Sequence, residues 1–332
     1  MKRKIIKQGH NTLTLTLPSE WTKKTGLSAG DEIDLIEKEN SLILNAEKRK
    51  SEKSCVIDIK DFTIPLLWRY FQGAYRAGEN EIRIVFDPNK RSYDDAYHYY
   101  TTQFEYSDLG EKIPPKPALA MIQGVVDRFI GMGIIETGKD YCIVKEMGES
   151  SMKEFDSSFK RIFLVILQMF DRIIGAIEKN EIKDVGLCKE MHTMDLNIDR
   201  LVDYCCRILN KNAYTISEAK KMLLFSTLFQ LELLGDEFKY IGKHFAVSKK
   251  SVKDTLDFAL ATKEYFELFY QLFFNFSREL AIRVGKNDLA IYSKHFKEKD
   301  KFQGENRSIA RHFMMINKMV LCLSELRIEM EF

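Results

Sequence analysis

Between Phe155 and Ile177 nine apolar side chains recur at steps of three, four and one: Phe155, Phe159, Ile162, Phe163, Ile166, Phe170, Ile173, Ile174 and Ile177. Those steps lay all nine along one face of a helix of about six turns. A helix greasy on one side only must bury that side against neighbours. The chain supplies them. A second helix is predicted over 184–211, with Leu187, Met191, Met194, Ile198, Leu201, Val202, Cys205 and Ile208 on its apolar side. A third follows over 216–245, then two over 250–282 and 306–330, separated by the charged loop "SKHFKEKDKFQGENRS". Long helices with short connections pack as an antiparallel bundle, placed here over 150–332. The scarcity of breakers, 6 Pro and 17 Gly in 332 residues, agrees with this. The most apolar run, 161–177, contains Gln168, Asp171 and Arg172. It is too short and too charged for a bilayer, so no membrane insertion is expected.

Residues 54–148 alternate between the two periodicities. "CVIDI" (55–59) and "EIRIVFD" (81–87) read as strands. Between them, 63–78 reads as a helix with Ile64, Leu67, Phe71 and Tyr75 near one face. A helix over 118–132 and a hairpin over 133–147, turning at Thr137–Asp140, complete a small α+β middle region. The Tyr-rich segment 91–108 fits no single period; with His98 it fits a ligand surface or, as aromatics more often do, core or subunit-packing material.

Residues 1–47 open with a strand "KRKIIKQ", a turn "GHN" and the strictly alternating "TLTLTL" (12–17). "PSEWTKKTG" follows as a short helix stopped by Gly26. Two strands, about 32–37 and 41–46, close the unit, and 48–53 is a charged linker. Some 47 residues carry about a dozen apolar side chains, which is marginal for a self-sufficient core. Sharing the core with a second copy is the usual remedy.

Gly9, the strand ending in Leu17-Pro18, the helix closing on Gly26-Leu27, and Gly30-Asp31-Glu32 before the last hairpin together resemble the SpoVT/AbrB swapped-hairpin domain. The resemblance implies a homodimer that interleaves hairpins from two chains and contacts double-stranded DNA. The charge distribution fits that expectation. Lys2, Arg3, Lys4, Lys7, Lys23 and Lys24 face only Glu20 within residues 1–24, a net +5, whereas the whole chain is balanced at 51 basic and 49 acidic residues. Lysine and arginine grip phosphates with little sequence information. Arg3, His10 and Asn11 are the candidates for reading base edges. The same cations also fit an ordinary solvated terminus.

Acidic residues recur every fourth position on two of the helices: Asp195, Asp199 and Asp203, then Glu232 and Asp236. That spacing stacks carboxylates on one face, where they repel unless a cation lies between them. If the two helices pack antiparallel, Asp195, Asp199, Glu232 and Asp236 converge on one divalent metal. Oxygen ligands favour Mg or Ca, and the nearby His192 admits Fe, Mn or Zn. The pattern equally fits an acidic stripe paired with Arg200, Arg207 and Lys239. Asp195-Leu-Asn-Ile-Asp199 and Glu232-Leu-Leu-Gly-Asp236 resemble the metal-binding signatures of the PhoU family. "GMGIIETGKDYCIV" (131–144) resembles the middle segment of archaeal phosphate-uptake regulators, which join an AbrB-type domain to a PhoU-like region. No second such acidic pair occurs in "RHFMMINKMVLCLSELRIEM" (311–330).

The expected class is therefore α+β: an N-terminal swapped-hairpin β domain, a small α+β middle region and a C-terminal PhoU-like antiparallel helix bundle. Six cysteines without a CxxC pair, and no apolar leader, suggest reduced thiols in the cytoplasm. No Gly-rich phosphate loop and no nucleophile–histidine motif occurs, so no enzyme is expected. The leading expectation is a DNA-binding regulator, of phosphate uptake, with a sensing bundle. The alternative is a PhoU-type interaction protein that pairs through the hairpin and regulates a phosphate transporter or sensor kinase.

Overall fold

A computed structural model describes residues 2–38, 41–46, 53–90, 117–148, 151–211, 216–298 and 301–332. The chain divides into two compact units, Met1–Lys53 and Ser54–Phe332.

In the first unit β1 (Ile6–Gln8) and β2 (Thr12–Thr14) form an antiparallel hairpin in which Lys7 faces Leu13. Helix α1 (Ser19–Thr25) follows Pro18 and ends on Gly26 at φ +67°. The hairpin of β3 (Asp34–Lys38) and β4 (Ser41–Asn45) completes the unit. The return strand stops at Thr14, short of the Leu17 expected from alternation. The rest of the alternating run has no strand to pair with among the described residues, and Leu15 stays exposed.

The second unit begins with a four-stranded sheet in the order β5–β6–β8–β7. Strands β5 (Ser54–Asp58) and β6 (Glu81–Val85) are parallel and joined by helix α2 (Ile64–Ala77), a βαβ crossover. Helix α3 (Ala118–Val126) then leads to the antiparallel hairpin of β7 (Met132–Thr137) and β8 (Tyr141–Glu146). Leu67, Phe71 and Tyr75 on one face of α2 are fully buried against Ile82 and Ile84 of the sheet and Val125 of α3. The Tyr-rich stretch 91–108 lies outside the described residues.

Among the described residues six helices make the bundle: α4 (Met152–Lys179), α5 (Val185–Lys211), α6 (Glu218–Val247), α7 (Leu256–Phe274), α8 (Arg278–Glu298) and α9 (Glu305–Glu329). Helix α4 starts with a capping box in which the Ser151 backbone amide donates to Glu154 at 2.6 Å. All nine residues of its stripe are buried. The single helix expected over 250–282 is instead a 3-10 turn (Lys253–Thr255), α7, a break at Asn275 and the start of α8. Asn275 leaves helical geometry, and the Ser277 hydroxyl accepts from the Leu280 amide at 3.1 Å to start the next helix. The stretch expected as loop is helical through Glu298, and Val284 and Ile291 of this helix are buried seven residues apart. Among the described residues no helix is long and apolar enough to cross a membrane.

The α+β layer is fastened to the bundle at the C-terminal end of α2. A helix end exposes carbonyls that lack intrahelical partners. Arg207 of α5, 1% exposed, donates to the Tyr75 carbonyl at 2.7 Å and the Glu79 carbonyl at 2.9 Å. Asn210 donates to the Arg76 carbonyl at 2.6 Å. Gly78 caps α2 at φ +90°, where an added Cβ would lie 2.9 Å from the Lys211 side chain. Both the turn and the close approach therefore call for glycine.

Candidate functional site

Two regions gather the candidate residues, one in each unit. In the first, Lys2, Arg3 and Lys4 precede β1, Lys7 lies within it, His10 and Asn11 form the turn after Gly9, and Lys23 and Lys24 occupy the last turn of α1. All eight side chains are exposed, and none is ion-paired among the described residues. The apolar side chains around them are exposed as well. Ile5, Ile6, Leu13, Leu15, Leu35 and Leu42 are each between 51 and 68% exposed, and no described residue of this unit is fully buried. A lone copy thus leaves wet the surface whose burial would hold it together.

In the second unit α5 and α6 run antiparallel in close contact. Gly242 meets Met191 and Gly235 meets Asp195, so one helix descends as the other ascends. An added Cβ at Gly235 would come within 3.0 Å of Asp195 Oδ1. This approach brings Asp195, Asp199, Glu232 and Asp236 into one another's electrostatic reach. The cation among them is the Lys239 ammonium. It donates to Asp195 Oδ2 at 3.0 Å and to Asp236 Oδ1. Burial is the main cause that raises the Asp195 carboxyl to about 7, Lys239 pulling the other way. Burial and the neighbouring carboxylates, Asp195 first, raise Asp199 well above the usual range. Burial, then Asp236, raises Glu232. Lys239 is shifted upward: desolvation opposes the shift, and Asp195 and Asp236 outweigh it. His192, buried beside Lys239 and Arg128, is lowered to about 3, chiefly by burial.

This arrangement does not fit a metal. Among the described residues no three His, Cys, Asp or Glu side chains are disposed to hold one. Two of the four carboxylates already neutralise Lys239. Among the described residues of this cluster, Asp195 Oδ1 and both ring nitrogens of His192 are buried without hydrogen-bond partners.

Sequence reasoning named Lys239 and Arg207 together as alternative partners for the acidic stripe, and they separate. Lys239 takes that role. Arg207 turns the other way, to the α2 carbonyls and to Glu146 at 3.2 Å. Asp203 is held by Arg76 at 2.5 Å and Gln72 at 3.0 Å. Arg200 and Asp199 line a groove of about 200 Å³ with Trp68, Asp127, Arg128 and Asp203, the Arg128 guanidinium lying 4.0 Å over the Trp68 ring. Nothing local in the sequence pointed to Trp68, Arg76 or Arg128, because their partners lie dozens of residues away.

Residues 6–54 match the MazE antitoxin family model, described as antidote-toxin recognition MazE, bacterial antitoxin. The N-terminal segment is thus similar to a MazE/AbrB-like antitoxin domain, in keeping with a swapped hairpin. The match ends at Ser54, where the second unit begins. No curated protein and no solved structure matches the chain.

Proposed function

We propose that this chain is a DNA-binding regulator that works as a homodimer. Residues 2–46 form the paired DNA-gripping unit, and the helical bundle is the sensing or partner-docking module. The observation that carries the reading is the coincidence, within one MazE/AbrB-type segment, of six exposed cations and six exposed large aliphatic side chains. Pairing two copies covers the second set and doubles the first. The PhoU-like signatures of the bundle support phosphate uptake as the regulated process. Because Lys239 compensates the acidic cluster, the bundle senses through a partner or a small ligand and not through a metal held by those four carboxylates. No catalytic role is assigned.

The test is the salt dependence of DNA binding by the full chain. Each phosphate contact contributes about 0.9 to the slope of log affinity against log salt. Arg3→Ala/Lys4→Ala removes two phosphate-gripping lysines and two base-reading arginines from a dimer, so affinity should fall and the slope should become shallower by about 2 while sedimentation still reports a dimer. A double variant that shifts DNA as the wild type does would contradict the assignment. Wild-type chain that pairs but leaves duplexes unshifted at low salt would favour the interaction-protein alternative, in which the hairpin only joins chains and the bundle docks on a transporter or sensor kinase.

A further inference from the structure

Helix α6 is oriented against expectation. Beyond Lys221 its exposed positions are Met222, Ser226, Phe229, Leu233, Tyr240 and Val247. Five of the six are large and apolar: Met222 is 68% exposed and the others 42–45%. Its charged residues Glu232, Asp236, Glu237, Lys239 and Lys243 are instead half-buried. Inclusion of Asp236 and Lys243, which border the stripe, gives positions 222, 226, 229, 233, 236, 240, 243 and 247. The steps alternate four and three throughout, the seam of a two-helix coiled coil. Two anchors are held from the side: Arg76 lies 4.8 Å over the Phe229 ring, and Tyr240 stacks on His312 at 5.7 Å. Side chains already fixed lose little freedom on binding.

We propose that this stripe is a second dimer contact, in which α6 packs antiparallel on the α6 of a second copy. Charge selects both the occupant and the direction. A parallel pair in register would set Asp236 against the partner's Asp236 and Lys243 against the partner's Lys243. An antiparallel pair centred between Leu234 and Gly235 sets Met222 against the partner's Val247, Ser226 against the partner's Lys243, Phe229 against the partner's Tyr240 and Leu233 against the partner's Asp236. No like charges meet, and the whole stripe overlaps its own copy, as a two-fold interface requires. At about 150–250 Å² for a large side chain, the exposed parts amount to roughly 450 Å² per chain. Two copies therefore bury about 900 Å², less than the ~1,200 Å² of a stable standard interface. The seam consolidates a pair joined elsewhere, and so rests on the pairing of residues 2–46, which raises the effective concentration of the second α6.

Cysteine pairs test it in the full chain. Phe229 and Tyr240 lie about 16 Å apart along one helix, beyond the ~7 Å Cα limit of a disulfide, so a disulfide between them joins two chains. Oxidised F229C/Y240C should run as a covalent dimer, while F229C alone, Y240C alone and the wild type should not. The unmodified chain gives a second reading. Lys220 and Lys243, both on α6, are about 34 Å apart within one copy but about 9 Å apart along the axis across the antiparallel pair, so a short amine-reactive linker should join them between chains. A dimer in sedimentation without either link overturns the seam and points to another occupant of the stripe. Cross-linking of the single-cysteine variants overturns its direction. A chain that sediments as a monomer at micromolar concentration overturns the pairing of residues 2–46 and the seam with it.

Discussion

Arg207→Met should melt about 10 °C below the wild-type chain. Arg207 and Glu146 are 3.2 Å apart with side chains 1% and 9% exposed. Glu146 keeps the Lys211 ammonium at 2.5 Å and the Asn80 amide at 2.7 Å when Arg207 is lost, so the cost falls on the buried hydrogen bonds that Arg207 itself supplied, about 3 kcal/mol in all. In a unit of this size each kcal/mol lowers Tm by about 2–4 °C. The Glu79 carbonyl just past α2 loses its Arg207 donor in the same step, while the Tyr75 carbonyl keeps the Gly78 amide at 3.0 Å, and an unsatisfied buried acceptor adds to the cost. The double variant Arg207→Met/Glu146→Met should melt no higher than the single one, because it removes a carboxylate that Lys211 and Asn80 still hold and leaves the Lys211 ammonium without it. Circular dichroism of the helices provides the measurement. A single variant within 3 °C of wild type would show that the α+β layer is not fastened through this pair.

Lys239→Met should be nearly harmless in acid and severe in mild base. The substitution leaves Asp195 buried beside Asp199, Glu232 and Asp236 with no ammonium between them. Folded-state values of Asp195, Asp199 and Glu232 already stand above their ordinary range. A carboxyl raised on folding contributes stability that is complete below its unfolded value near 4 and is lost as pH rises through its folded value. For Asp195 that window runs from about 4 to about 7 in the wild type, and loss of Lys239, which lowers it, carries the window higher. Urea unfolding should therefore show a loss of about 1 kcal/mol at pH 5 and about 3–5 kcal/mol at pH 8.5. An equal loss at both would mean that Lys239 acts by packing alone.

The helices were legible because burial on one face writes a period into the sequence. Each of the nine residues from Phe155 to Ile177 is buried where the 3.6-residue repeat places it. Periodicity faltered at Asn275, where the apolar pattern of α7 runs on into α8 and only a capping serine marks the break. The acidic cluster was half legible. Four-residue spacing put the carboxylates on facing helices, but whether a metal or Lys239 would lie among them depends on how the two helices meet, and Gly235 and Gly242 set that approach. Arg207 was named for the wrong partner because its true ones, Tyr75, Glu79 and Glu146, lie 61 or more residues away. Sequence spacing carries no trace of such a contact. The α6 stripe was hidden for a related reason. Apolar on two faces, the helix shows no clean amphipathic signature, and only burial distinguishes the inner face from the outer.

The account turns on whether residues 2–46 hold their fold only when two copies share a core. The direct measurement is hydrogen exchange at the amides of β1 to β4 in the full chain as it is diluted, with sedimentation run in parallel. Protection in those strands should fall away as the dimer dissociates, while α4 and α5 keep theirs. Strands that stay protected in chains shown to be monomeric would contradict it.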